Sequence, residues 1–155
     1  MEQSSKDFVY SVMDGAGDLT LATVRPDGYP QATTVSFAHD GLLLYVGIGR
    51  DSQKARNIRA NNKVSLTINL PYQDWRAIKG LSMSALAEIL DEDADVAAAK
   101  ACLLKRFPQV AEWGAQAMAE NMAFVRIAPQ VVSVLDYTKG FGHTELLTAA
   151  QLASI

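Results

Sequence analysis

The sequence predicts a mainly β fold: a six-stranded antiparallel barrel of Greek-key character with peripheral α-helices. Three observations carry that expectation. Six short runs of strand character are separated by compact turn signals. The crossover helices that parallel strands need are mostly missing between them. With 155 residues, 49% hydrophobic and 20% charged, the chain has the size of one domain, 1–155, able to bury a core without a metal or disulfide staple.

The elements follow in order. SSKDFVYSVMD, residues 4 to 14, reads as a short helix, with Phe8 and Val12 four apart on one face and Gly15 as a stop. LTLATV, 19 to 24, alternates as a half-buried strand. RPDGYP then turns the chain: proline pre-sets its φ, aspartate bonds local backbone and Gly28 accepts positive φ. QATTVSFA, 31 to 38, is the return strand, and His39-Asp40-Gly41 reads as the next tight turn. LLLYVGI, 42 to 48, is apolar throughout, as a central strand is. A short helix over roughly 52 to 60 follows, then strands at 64 to 70 and about 79 to 90. Residues 91 to 106 read as a helix, acidic at its start and basic towards its end. Pro108 breaks it, and a second short helix is expected to about 120. The sixth strand covers 124 to 135, bent at Pro129, and the tail DYTKGFGHTELLT reads as a loop ending in a short helix at most.

Charge and composition narrow the function. A net charge of -3 lacks the basic surplus that neutralises nucleic-acid phosphates, so nucleic acid is not an expected partner. No run approaches a membrane span and no leader is legible, so no membrane partner is expected and the default location is cytoplasmic. The single cysteine, Cys102, sits in an apolar helical run and reads as a buried structural thiol.

The stretch YVGIGRDSQKARNIRANNKVSL, 45 to 66, carries chemistry. A strand ends, Gly49 turns the chain, and a helix begins at Ser52 with free amides that suit a phosphate. Ser52 adds a hydroxyl and Lys54 a point charge, and Arg50 or Arg56 offers a fork of donors. A solvated basic helix face is the competing reading. Neither a Walker loop nor a GxGxxG run is present.

The ordered set of LATV, Gly28-Tyr29-Pro30, TTVSF, Asp40-Gly41, LLLYVGIG and S-x-K-x-x-N-I-x-x-N-x-x-V-S-L resembles the pyridoxamine phosphate oxidase family of split-barrel flavoproteins. The resemblance is strongest over 19 to 70 and continues more weakly to the last strand. It implies a homodimer with FMN at the subunit interface and redox chemistry on a small-molecule substrate. It implies that Ser52, Gln53 and Lys54 hold the phosphate and ribityl end. Thr33, Thr34, Val35 and Ser36 would line the isoalloxazine edge, with Ile48 and Gly49 beside the phosphate turn, and Trp75 and Lys79 would complete the pocket from the partner subunit. The arginine and lysine with which the authentic oxidase also grips the phosphate have no counterpart in TTVSFAHDGLLLYV, and the tail lacks its substrate motif. The resemblance therefore implies a cofactor and leaves the substrate open. A non-catalytic flavin-binding or stress-response protein, a haem-binding or haem-degrading relative, and a deazaflavin cofactor stand as alternatives.

The remaining chemistry-bearing residues are read as follows. His143, in the tail GFGHTE, is either a hydrogen-bonded surface residue or a haem ligand. His39 reads as a solvated turn residue. Tyr137, Lys139 and Phe141 either pack on the barrel or cover a flavin face. Trp113 reads as core or dimer interface. Asp91, Glu92, Asp93 and Asp95 read as a helix start, and no metal site is expected. No Ser-His-Asp set or G-x-S-x-G elbow is present, so no catalytic residue is assigned, and any chemistry would be the cofactor's.

Overall fold

The structure is a computed structural model that describes residues 3–113 and 120–154. Helix α1 (Gln3–Gly15) leads into β1 (Asp18–Val24), β2 (Pro30–Asp40) and β3 (Leu43–Gly49). Helix α2 (Gln53–Ala60), β4 (Lys63–Asn69) and β5 (Lys79–Ile89) follow, then α3 (Asp93–Arg106) and the long β6 (Met122–Asp136). The chain closes with β7 (Thr144–Leu147) and α4 (Ala149–Ala153). The side chain of Trp113 and most of the helix expected to about 120 lie outside the described residues.

All pairings are antiparallel, in the order β3-β2-β1-β4-β5-β6, and β6 pairs back onto β3 to close the ring. This is the expected six-stranded barrel. The tail departs from the expected loop: Thr144–Leu147 pairs with Val132–Leu135 as a seventh, four-residue strand. It has room there because the β3–β6 ladder ends at Leu44↔Ile127, which leaves the second half of β6 with a free edge. The bend at Pro129 is a bulge. Ser84 faces Val131 and Ala85 faces Pro129, so Gln130 is the extra residue and Pro129 stands beside the bulge, a place in a sheet where proline is tolerated.

Alternation builds the interior. Leu19, Leu21, Val64, Leu66, Ile68, Leu81, Met83 and Ala85 point inward and are buried. The short loops leave the barrel ends to the helices. Val9, Val12 and Met13 of α1 close the end near Leu70 and Gly41, and Ala55, Asn57 and Ile58 of α2 close the other. Helix α3 covers the outer face of β3 and β6, where Tyr45, Leu90, Ala99 and Phe124 form a second buried cluster. This explains the unbroken apolar run of β3, which is buried on both faces. Among the described residues nothing comparable covers the outer face of β1, the first half of β2 and β4, which carries small residues: Thr20, Ala22, Ala32, Thr34, Ser65 and Thr67.

Turn chemistry is as expected at Gly28, whose φ is 85° and whose N–H donates to Arg25 O at 2.8 Å. It differs at the second hairpin. The turn is Gly41-Leu42, with Gly41 at φ 58°, and His39 and Asp40 belong to β2. The His39 side chain is only 13% exposed. Its Nε2 lies 2.7 Å from Asp14 Oδ1 and its Nδ1 2.9 Å from Gly41 O. His39 therefore ties α1 to the hairpin and is not a solvated turn residue. At Gly80 a Cβ would come within 2.7 Å of Asn69 Oδ1 and 3.0 Å of Ile68 O, so close pairing of β4 and β5 requires glycine there.

Candidate functional site

The candidate site begins where a ladder stops. The β2–β3 pairing runs from Asp40↔Leu43 to Phe37↔Val46 and goes no further, while β2 continues back to Pro30 on β1 alone. Beyond Phe37 the barrel is split. Alternate residues of an antiparallel strand turn their N–H and C=O to opposite edges. The Phe37 N–H donates to Gly17 O on the β1 side. Odd-numbered residues of β2 therefore face β1, and Thr34 and Ser36 turn their main-chain groups into the split. Their side chains point to the exposed outer face, where the Ser36 hydroxyl donates to Asp18 Oδ1 at 3.2 Å. Thr33 and Val35 point the opposite way and are half-buried. Buried Leu21 lies directly across from Thr33. Thr33 Oγ1 is buried and has no hydrogen-bond partner among the described residues. The four consecutive residues thus offer two different surfaces: backbone edges at Thr34 and Ser36, and a hydroxyl with a methyl face at Thr33 and Val35.

Across the split lie Ile48, buried, and Gly49, which ends β3. The chain then turns into α2. Ser52 is the N-cap: its hydroxyl donates to Gly49 O at 2.7 Å and accepts from the Ala55 N–H at 3.2 Å. That geometry leaves the first-turn amides of Gln53 and Lys54 as the helix's free donors. The four cations of this stretch divide. Arg56 donates to Asp51 O and to Gln53 Oε1, both at 2.7 Å. Arg50 donates to Met122 O at 3.2 Å, and Arg59 to Arg50 O at 3.0 Å. Arg50 thus turns towards β6 and Arg56 back over Asp51, so neither forms the expected open fork at the helix start. Lys54 makes no hydrogen bond or ion pair among the described residues and is half-buried beside those amides.

A residue given no role by sequence reasoning anchors this corner. Asn57 is fully buried. Its Nδ2 donates to Thr23 Oγ1 at 2.9 Å and to Gln31 Oε1 at 3.2 Å, and its Oδ1 accepts from Gln53 Nε2 at 2.8 Å. One side chain thus links the start of α2 to the end of β1 and the beginning of β2. The available signal was the Gln53–Asn57 pair at i, i+4, set between the apolar positions Ala55 and Ile58.

Trp75 and Lys79 lie elsewhere. Trp75 lies in the β4–β5 connection and Lys79 opens β5, both at the end of the barrel closed by α1, while Ser52 to Lys54 sit at the end closed by α2. The full length of β5, roughly 30 Å at a normal strand rise, separates the two ends. Trp75 is 65% exposed and stacks on Phe141, their centroids 6.2 Å apart, and Phe141 leans on Tyr137 at 5.4 Å. In the same tail, His143 Nε2 lies 3.2 Å from Glu145 Oε1. That contact, with Lys139 adding, holds the Glu145 carboxyl below its usual range. Cys102 is not an activated nucleophile: burial, with the Asp40 charge second, pushes its thiol up.

The chain matches the family model described as pyridoxamine 5'-phosphate oxidase over residues 14–136. That is most of its length, and the chain belongs to this family. No curated protein matches it in sequence. Among solved structures it is similar to a haem-binding protein from Mycobacterium smegmatis, at 20% identity and TM-score 0.82, covering 99% of this chain and 62% of that one. It is similar to HutZ, the haem storage protein from Vibrio cholerae, at 21% identity and TM-score 0.71, covering 83% and 93%. A conserved hypothetical protein from Mycobacterium tuberculosis is 25% identical with TM-score 0.73, covering 97% and 94%. At these identities the likeness to the two haem proteins is one of fold.

Proposed function

We propose that this family member binds FMN in the split between β2 and β3 and serves hydride or electron transfer between the flavin and a small substrate. The observation that carries the reading is the uncommitted polar surface at that split. Lys54 and the Gln53 and Lys54 amides stand free at the helix start, unpaired backbone edges at Thr34 and Ser36 lie alongside, and Thr33 Oγ1 is a buried hydroxyl without a partner. Buried polar atoms are seldom left without partners, and a phosphate-bearing planar ligand is a chemical match for this set. The helix start and Lys54 would take the phosphate, with Ser52 shaping the turn. Thr34 and Ser36 would meet the polar edge of the ring through the main chain, and Val35 and Ile48 would supply apolar contact. Bound FMN would supply the redox chemistry, and the protein's share is to hold it and exclude water.

Trp75 and Lys79 join this site only from a second copy, since their own barrel keeps them at its far end. The uncovered outer face of β1, β2 and β4, lined with small residues, supports a homodimer built on that side. The test is FMN titration of the purified protein. Ser52→Ala with Lys54→Ala is expected to weaken binding by about tenfold or more, each charge-assisted bond being worth roughly 1.5–3 kcal/mol. Equal affinity in the double variant removes the assignment. Failure to retain FMN, together with a Soret band on adding haem that His143→Ala abolishes, replaces it with the haem reading. Binding without turnover against any electron donor and acceptor leaves a flavin carrier or sensor.

A further inference from the structure

A second groove, of about 580 Å³, opens on the other side of the α2 start, between the connection into α3 and the beginning of β6. Its lining combines charges of both signs over an apolar floor. Arg50 and Arg59 stand on one side, Asp91 and Asp93 line it from the β5–α3 connection and the start of α3, and Phe124 and Leu90 form the buried floor. Lys100 lies over the Phe124 ring at 5.6 Å. Asp93, Val96 and Lys100, spaced i, i+3 and i+7, share one face of α3.

The charges that line this groove are exposed, and two features of their arrangement bear on what it could bind. The arginines are held in place: Arg59 donates to Arg50 O, Arg50 donates to Met122 O, and the Arg50 N–H donates to Asn121 O at 2.8 Å. Each guanidinium carries five donors and spends one in these bonds, so the rest remain available in a fixed fork. In addition, the opposite charges do not neutralise one another. Elsewhere neighbouring charges pair, as in Arg25–Asp27, Arg76–Asp74 and Arg126 with Glu88 and Asp95. No ion pair within 4.0 Å joins Arg50, Arg59 or Lys100 to Asp91 or Asp93 among the described residues, although all five line one groove.

We propose that this groove binds a small zwitterion whose carboxylate and ammonium groups are several bonds apart, joined by an apolar stem. The carboxylate would meet the Arg50–Arg59 fork, the ammonium would meet Asp91 and Asp93, and the stem would lie along Met122 and Leu90, beside the Phe124 ring that Lys100 covers. A simple anion would set its charge opposite the acidic wall, and a simple cation opposite the basic one. The site is separate from the proposed flavin cleft and does not depend on it.

The test is calorimetric or NMR titration of the full chain with ε-aminocaproate, and with caproate and hexylamine as probes bearing one charge each. Saturable binding of ε-aminocaproate is expected, with each single-charge probe weaker by about tenfold, the order of one lost charge-assisted bond. Asp91→Asn with Asp93→Asn should erase the preference for ε-aminocaproate over caproate and leave the fold intact, since both carboxylates are exposed. Arg50→Ala should weaken ε-aminocaproate and caproate alike. No saturable binding of ε-aminocaproate, equal binding of caproate to the wild type, or an unchanged preference in the Asp91/Asp93 double variant would each overturn the proposal.

Discussion

The two halves of β2 are one continuous strand with opposite fates. From Phe37 to Asp40 it pairs with β3, the Phe37 N–H adds a bond to Gly17 O just ahead of β1, and Phe37 and Ala38 are buried. From Pro30 to Ser36 it is paired on β1 alone, and its inward residues Gln31, Thr33 and Val35 are only half-buried. The residue types hardly differ in strand propensity. The difference is the neighbour: β3 leaves β2 to pair with β6, and α2 does not seal the gap it opens. One ladder left unfinished converts structural backbone into a binding edge. The closed half holds the fold, and the open half exposes polar groups that a ligand would satisfy.

Substitutions in the two halves should therefore separate stability from ligand binding. The largest effect is expected in the closed half. Phe37 is fully buried and carries the Arg106 guanidinium 4.7 Å from its ring centroid. Arg106 in turn bonds Met13 O at the end of α1. Phe37→Ala should cost about 4 kcal/mol, read by urea unfolding, with flavin affinity of the folded protein unchanged. A parallel loss of affinity would show that the halves are not separable. Asn57→Ala comes next. It strands Thr23, Gln31 and Gln53 in a buried corner, at a cost of about 2–3 kcal/mol. Unlike Phe37→Ala it should also weaken FMN, because it frees the start of α2 from β1 and β2. Stability lost without any change in FMN affinity would make Asn57 a packing residue only. Thr33→Val is the smallest and most diagnostic change. Its hydroxyl has no partner among the described residues, so the apolar isostere should leave the ligand-free protein unchanged or stabilise it by up to about 1 kcal/mol. The same change should weaken FMN. Destabilisation of the ligand-free protein would mean that the hydroxyl has a partner already.

Legibility followed the range of the interaction. Alternation in LTLATV, the Pro-Asp-Gly turn and the Ser52 cap are decided within a few residues, and each stands where the sequence places it. His39 was misplaced because a turn signal read from His-Asp-Gly cannot register that Asp14, 25 residues earlier, reaches the imidazole. The strand at Thr144–Leu147 was missed because its partner edge exists only after β6 has crossed the whole barrel. Arg50 and Arg56 stand beside the helix start in sequence, but carbonyls of distant and neighbouring backbone, Met122 O and Asp51 O, turn their side chains away from it. Asn57 was visible as a letter in a motif, but its role depends on Thr23 and Gln31, brought to it from 34 and 26 residues away.

By itself the sequence determined the class of fold, the placement of six of its strands along the chain and the position of the helix start at Ser52, because periodicity, turn residues and capping act through local backbone geometry. Tertiary structure alone decided where the barrel stays open, which cation remains free, and that Trp75 and Lys79 lie at the opposite end from Lys54. Those outcomes depend on which strand edges find partners and which charges find carbonyls. That is settled by contacts between residues far apart in the chain, which no local pattern encodes.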